Sequence, residues 1–278
     1  MKSHLRLAAA SLFVCLALSD WSAGQWIGKQ TGCYADHIAA NPNRPTVSTP
    51  ANVTQYGVLE LEYGFDRYWP EGDATVNSAS GLLKFGLLCD VEFRWNTTSF
   101  ISLTGPSGTT RTFGDNWLGT QIRFHRQVKL LPTLAANYAF KIPSASTEAG
   151  LGSGHVDHAF ELLATEKLGQ FNMDFNFTEF LIGRPAAGFE TNQQFSADCS
   201  HPVWRALQFT GEFWGQTSLN AATPGFASSL WALSYTVRPR LVIDGGFEAG
   251  LTSGGPHRHL FVGATYAITN LYQRRRRK

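Results

Sequence analysis

From Val53 onward, apolar and polar residues alternate in short runs separated by turn-forming residues. In Phe171–Ile182, Phe171, Met173, Phe175 and Phe177 interleave with Asn172, Asp174, Asn176 and Thr178. Successive side chains of a strand point to opposite faces, so such a run carries one apolar and one polar face. The same period runs through Val53–Phe65, Trp117–His125, Leu131–Ile142, His158–Lys167, Asn192–Ser200, Trp204–Gln216 and Phe226–Val237. Near the C-terminus Leu241, Ile243, Phe247, Ala249 and Leu251 alternate with Val242, Asp244, Gly246, Glu248 and Gly250, and a last run covers Leu260–Ile268. Leu82–Trp95 alternates too, but a tilted membrane-spanning strand needs only about 9–11 residues. Gly86–Asp90 therefore reads as a tight turn between two strands.

Between these runs, short turns (Leu168-Gly169-Gln170, His201-Pro202, Arg238-Pro239-Arg240) exchange with longer polar loops (Asp66–Asn77, Thr104–Asp115, Pro143–His155, Thr252–His257). The count comes to about twelve strands. An even number with both ends on the short-turn side predicts an all-β fold, a transmembrane antiparallel up-and-down β-barrel. A soluble β-sandwich shows the same alternation, but it would line its core with several unpaired charges per strand, at high cost. A membrane barrel keeps those charges in water, and closure removes exposed edges. Trp69, Trp95, Trp117, Trp204, Trp214 and Trp231 near strand ends fit interfacial girdles.

Composition supports this reading. Charged residues are 16% of the 278-residue chain, below the roughly one quarter usual for soluble domains, and the formal charge is only +2. The first residues read as a secretory leader: basic Lys2, His4 and Arg6, an apolar Leu7–Leu18 too short to span a bilayer, then small Ser22-Ala23-Gly24. The expected organisation is a signal peptide over 1–24, an extended or loosely ordered lead-in over 25–52 with Pro42, Pro45 and Pro50, a barrel over 53–269, and a basic tail over 270–278. Cys33, Cys89 and Cys199 remain after the leader and allow one disulfide, with the pairing open.

Parity places thirteen residues on the inner face as the candidate solute path: Glu60, Glu62, Glu92, Arg94, Gln121, Arg123, Lys141, Glu161, Asp174, Asp198, Glu212, Asp244 and Glu248. Both signs together predict either a charge ladder beside a narrow path or ion pairs that plug the barrel. Arg94 and Arg123 would attract anionic groups. For any one of these residues, solvation or structural pairing competes with solute contact. Ser153, His155, Asp157 and His158 invite a hydrolase reading, as in barrels that cleave lipids, but loop neighbours rarely have the geometry of a nucleophile and its base, and no G-x-S-x-G elbow is present. His257 and His259 lack the carboxylate that a metal site would want, so no catalytic residue, metal or cofactor is expected. The basic tail reads as a solvated extension rather than a nucleic-acid site.

The segments Leu83–Asp90 with Val91-Glu92-Phe93, Phe140-Lys141-Ile142-Pro143, Gly150–Gly154 with Asp157, Arg238-Pro239-Arg240-Leu241, Gly245-Gly246-Phe247, Gly250-Leu251-Thr252 and Gly263-Ala264-Thr265-Tyr266 follow one another in a specific order. In that order the chain, from about Gln55 to Ile268, resembles the outer-membrane family named for the MetA pathway of phenol degradation. The resemblance implies an outer-membrane channel for passive uptake of small aromatic or hydrophobic solutes. It also implies contact with outer-membrane lipid and the barrel-assembly machinery. The chain departs from such barrels in ending its last strand near Ile268 rather than on an aromatic residue. A non-conducting structural or ligand-binding barrel is the alternative.

Overall fold

The computed structural model describes residues 35–70, 74–106, 108–148, 152–185, 188–220, 223–255 and 257–272. The leader, Cys33 and the arginine-rich end of the tail lie outside them. The strands are β1 (Val58–Trp69), β2 (Thr75–Leu88), β3 (Val91–Gly105), β4 (Gly108–Thr112), β5 (Asn116–His125), β6 (Thr133–Ile142), β7 (His158–Leu168), β8 (Phe171–Gly183), β9 (Phe189–Trp204), β10 (Leu207–Gln216), β11 (Phe226–Arg238), β12 (Leu241–Gly250) and β13 (Arg258–Asn270). Each pairs antiparallel with its neighbours in one sheet, and β1 pairs with both β2 and β13, closing a barrel. β4 and β5 share one position in the wall: β4 pairs with the upper part of β3 and β5 with its lower part. The wall thus has twelve staves. The break between β4 and β5 contains Gly114, whose N–H donates to the Thr98 carbonyl and where a Cβ would lie 2.6 Å from the Thr98 side chain.

Several segments expected as loops are strand. β1 runs past Phe65 to Trp69, and Thr104–Asp115 contains the β3–β4 hairpin. β9 continues through His201 and Pro202 to Trp204, so its turn falls at Arg205 and Ala206, with Arg205 at φ 47°. In each case ladder hydrogen bonds to a long neighbouring strand extend the run beyond its own alternation.

The barrel is apolar outside and charged inside. Leu61, Tyr63 and Phe65 of β1 are exposed, while Glu60 and Glu62 between them are buried. Phe171 and Phe175 on β8, and Ile243 and Phe247 on β12, repeat the outward pattern. Only a bilayer makes such an outer face favourable, because each apolar side chain there leaves water. Cys89 is disulfide-bonded, whereas Cys199 is a free thiol exposed on the outside of β9.

Candidate functional site in the barrel lumen

Residues 35–57 run through the lumen without regular secondary structure. Main-chain N–H groups in such a segment have no ladder partner and must find acceptors elsewhere. The wall carboxylates supply them. Asn41 N–H donates to Glu60 Oε2 (2.8 Å), and the N–H groups of Asn43 and Arg44 donate to the two oxygens of Glu62 (2.9 and 3.0 Å). Glu212 accepts from Val47 N (2.8 Å), Ser48 N (2.6 Å) and Ser48 Oγ (2.6 Å), and Glu92 accepts from Thr54 N (2.6 Å). The wall also donates: Gln121 Nε2 to the Pro50 carbonyl (2.8 Å) and Asn176 Nδ2 to the Thr49 carbonyl (2.9 Å). Hydrogen bonds to charged acceptors contribute about 1.5–3 kcal/mol each, so together they hold the segment firmly.

Two cations complete this seat. Lys84 of β2 is wholly buried, with Nζ 2.8 Å from Glu60 and 2.5 Å from Glu62, and it also donates to Asn43 Oδ1 (3.0 Å) and the Asn41 carbonyl. Arg44 of the segment forks onto Asp244 of β12, with Nη2 at 3.0 Å and Nε at 3.2 Å. Ion pairs fill this stretch of the lumen.

Two cavities flank the segment. One of about 610 Å³ at the long-loop end is lined by apolar groups including Tyr68, Trp214, Phe226, Leu230 and Phe261. A second, of about 550 Å³ at the short-turn end, is polar and includes Asn172, Asp174 and Asp198. Arg44, Pro45 and Thr46 line both. In the outer cavity His259 lies between two carboxylates, Nδ1 2.8 Å from Glu248 and Nε2 3.0 Å from Asp66, with the Tyr68 ring stacked on it at 3.9 Å. Glu248 also accepts from Trp214 Nε1 at 2.9 Å.

Solved structures share this architecture. An outer-membrane channel from Pseudomonas putida F1 superposes with a TM-score of 0.61 at 11% identity, over 84% of this chain and 99% of that one. The KdgM porin, solved in complex with disordered oligogalacturonate, gives 0.53 at 6% identity, over 76% and 99% of the two chains. The NanC porin gives 0.52 at 8%, over 76% and 100%. The fold is that of an outer-membrane β-barrel. At these identities the likeness speaks for architecture alone. No protein-family model matches the chain, and no curated protein does either.

The barrel brings most of the thirteen residues singled out from the sequence to its inner face, in different company. Glu60, Glu62, Glu92, Glu212 and Asp244 hold the threaded segment. Arg123 is committed at the short-turn end, 2.6 Å from Asp90, and also donates to Asn52 Oδ1 and the Cys89 carbonyl. Lys141 pairs with Asp157 and lies 3.4 Å from Asp115 near the long loops. Asp174 and Asp198 are register partners on β8 and β9, and Thr165 donates to Asp174 while accepting Ala51 N–H (2.7 Å). Arg94 donates to Gln121 Oε1 (2.5 Å), and Glu161 accepts from Asn137 (3.0 Å). Glu248 belongs to the His259 cluster.

Sequence reasoning missed Lys84, Asp66 and the inward role of His259. Lys84 was legible as the polar member between Leu83 and Phe85, and His259 by its alternation with the outward, apolar Leu260 and Val262. In the 143–157 loop, Ser153 Oγ accepts from Lys141 Nζ at 2.7 Å and meets His155 only through its main chain. The His158 ring faces the Tyr138 hydroxyl (2.9 Å). That geometry pairs Ser153 with a lysine and not with an imidazole. Among the described residues there is no group of three or more side chains placed to hold a metal ion.

Proposed function

We propose that this barrel is an outer-membrane channel for passive uptake of small aromatic or hydrophobic solutes. The observation that carries the reading is the pair of cavities on either side of Arg44-Pro45-Thr46. A solute entering from the long-loop end meets an apolar vestibule, then one three-residue constriction, then a polar chamber facing the short turns. The constriction is fixed by the Arg44 contacts to Glu62 and Asp244, and the neighbouring Val47 packs on Leu230, Ala232 and Phe261, so the path beside it is narrow and of set width. The resemblance to the family named for phenol degradation supports the solute class. The architecture shared with a bacterial outer-membrane channel and with porins supports the channel role and an outer-membrane location. There the apolar outer face meets lipid, and the barrel-assembly machinery is the partner that would insert it.

Planar-bilayer recording of the purified full-length protein tests this. Discrete small conductance steps are expected, with one-ring aromatic alcohols added at the long-loop side reducing the current more than sugars do. Absence of conductance, together with absence of solute-driven liposome swelling, would leave the non-conducting ligand-binding barrel as the better reading.

A further inference from the structure

A third cavity, about 420 Å³, lies on the opposite side of the lumen against β3 and β5–β8. Its volume is within the range of small-molecule sites, about 300–1,000 Å³. Its floor follows from the strand register. Arg94 pairs with Gly119, Gly119 with Ala139, Ala139 with Ala159, and Ala159 with Phe180. One hydrogen-bonded row across five strands thus carries a guanidinium, three residues with little or no side chain, and a phenyl ring. Neighbouring strands are about 4.8 Å apart, so the bare floor from Gly119 to Ala159 is roughly 10 Å wide and flat.

The rows on either side give the slot its walls. Toward the short-turn end run Gln121, Asn137, Glu161 and Thr178, also register partners, and Gln121 carries the Pro50 carbonyl of the threaded segment. Toward the long loops stands Trp117, its ring edge-on to Phe180 at 6.4 Å. At the cationic end Arg94 donates to Gln121 and lies 3.8 Å from Glu92, which is itself taken up by Thr54 N–H. Arg94 also shares the lining with the Glu161 carboxylate, which its charge stabilises. A guanidinium has five N–H donors in a planar fork, and its geometry suits a carboxylate held edge to edge.

We infer that this slot binds a planar aromatic carboxylate, its ring flat on Gly119, Ala139 and Ala159, its edge toward Trp117 and Phe180, and its carboxylate on Arg94. The inference rests on the channel reading for its biological sense but not for its geometry. A flat floor selects an sp² ring over a puckered one. The planar fork of Arg94, the cation that lines the slot among the described residues, selects a carboxylate over a neutral ring in competition with the Glu161 carboxylate. Asp115, the other acid of the lining, lies 3.4 Å from Lys141.

Benzoate is the probe, with cyclohexanecarboxylate and benzyl alcohol as controls, and binding is followed in full-length protein in detergent by quenching of tryptophan fluorescence and by calorimetry. Benzoate is expected to bind more tightly than either control. Arg94→Gln should weaken benzoate about tenfold or more and leave benzyl alcohol nearly unchanged. Ala139→Leu, which raises the floor, should weaken both aromatic ligands. Where Arg94→Gln does not give the heat-modifiable gel mobility of a folded barrel, Arg94→Lys serves, since it keeps the charge and loses the planar fork. Cyclohexanecarboxylate binding as well as benzoate, or Ala139→Leu leaving benzoate unaffected, would overturn the inference. Conductance without benzoate binding removes the slot and leaves the channel; benzoate binding without conductance or swelling does the reverse.

Discussion

Gly64 and Gly263 face each other across the β1–β13 seam that closes the barrel, and a Cβ on either would lie 2.3 Å from the Arg44 guanidinium. The seam has a notch two side chains wide, and the arginine of the threaded segment fills it on its way to Asp244. Gly64→Ala and Gly263→Ala should each push the guanidinium out and loosen the ion pair, at a cost of about 1–3 kcal/mol. Limited proteolysis within residues 35–57 should become faster in both variants, and Arg44→Ala should match them. A segment equally resistant in all three would mean that the notch is incidental.

Lys84 is the buried charge on which the lower half of this seat depends. Lys84→Met leaves Glu60 and Glu62 facing each other without a cation, a change that typically costs about 3–5 kcal/mol. The barrel should lose its heat-modifiable gel shift at a markedly lower temperature. Adding Glu60→Gln and Glu62→Gln should recover part of the loss. A single mutant as stable as the parent would show that water reaches these carboxylates freely.

In the outer cavity, His259→Leu leaves Asp66 and Glu248 across an apolar gap with no donor between them. Replacement by Gln keeps a donor toward one carboxylate. Denaturant titration should therefore rank parent above His259→Gln above His259→Leu, with a few kcal/mol between the extremes. Equal stability of the two variants would argue that the cluster is solvated from the long-loop end.

Cys199 offers a test of which face meets lipid. It is a free thiol on the outside of β9, where Ser200 and Asp198 beside it point inward. In proteoliposomes an apolar maleimide should label it, and a charged, membrane-impermeant one should not. Labelling by the charged reagent at the same rate would place this face in water.

The barrel itself was legible because parity is a local property: Asp244 and Glu248 declare their face within a few residues. The threaded segment was not. Residues 35–52 have no period, and residues 53–57 read as the start of the first strand, although β1 begins only at Val58 and Thr54 is held inside by Glu92. Most of the anchoring groups are main-chain N–H donors, which no residue letter marks. Proline-rich polar sequence therefore read as a loose lead-in. The slot was hidden for another reason. Gly119, Ala139 and Ala159 become one floor only through the register of three strands, and each alone is an unremarked small residue. The turn at Arg205 was misplaced to His201-Pro202 because a proline was given more weight than the ladder around it, although Pro202 keeps its place opposite Gln208.

A wall that grips main-chain amides constrains its guest beyond the side chains it reads, Arg44, Asn43 and Ser48 among them, because it forbids one residue type at chosen places. Asn41, Asn43, Arg44, Val47, Ser48, Ala51 and Thr54 each lend an N–H to the wall, and proline has none to lend. The three prolines of this stretch, Pro42, Pro45 and Pro50, stand in the gaps between those positions. The barrel thus imposes a spelling rule on the segment inside it: proline is confined to the intervals between the amides that the wall holds.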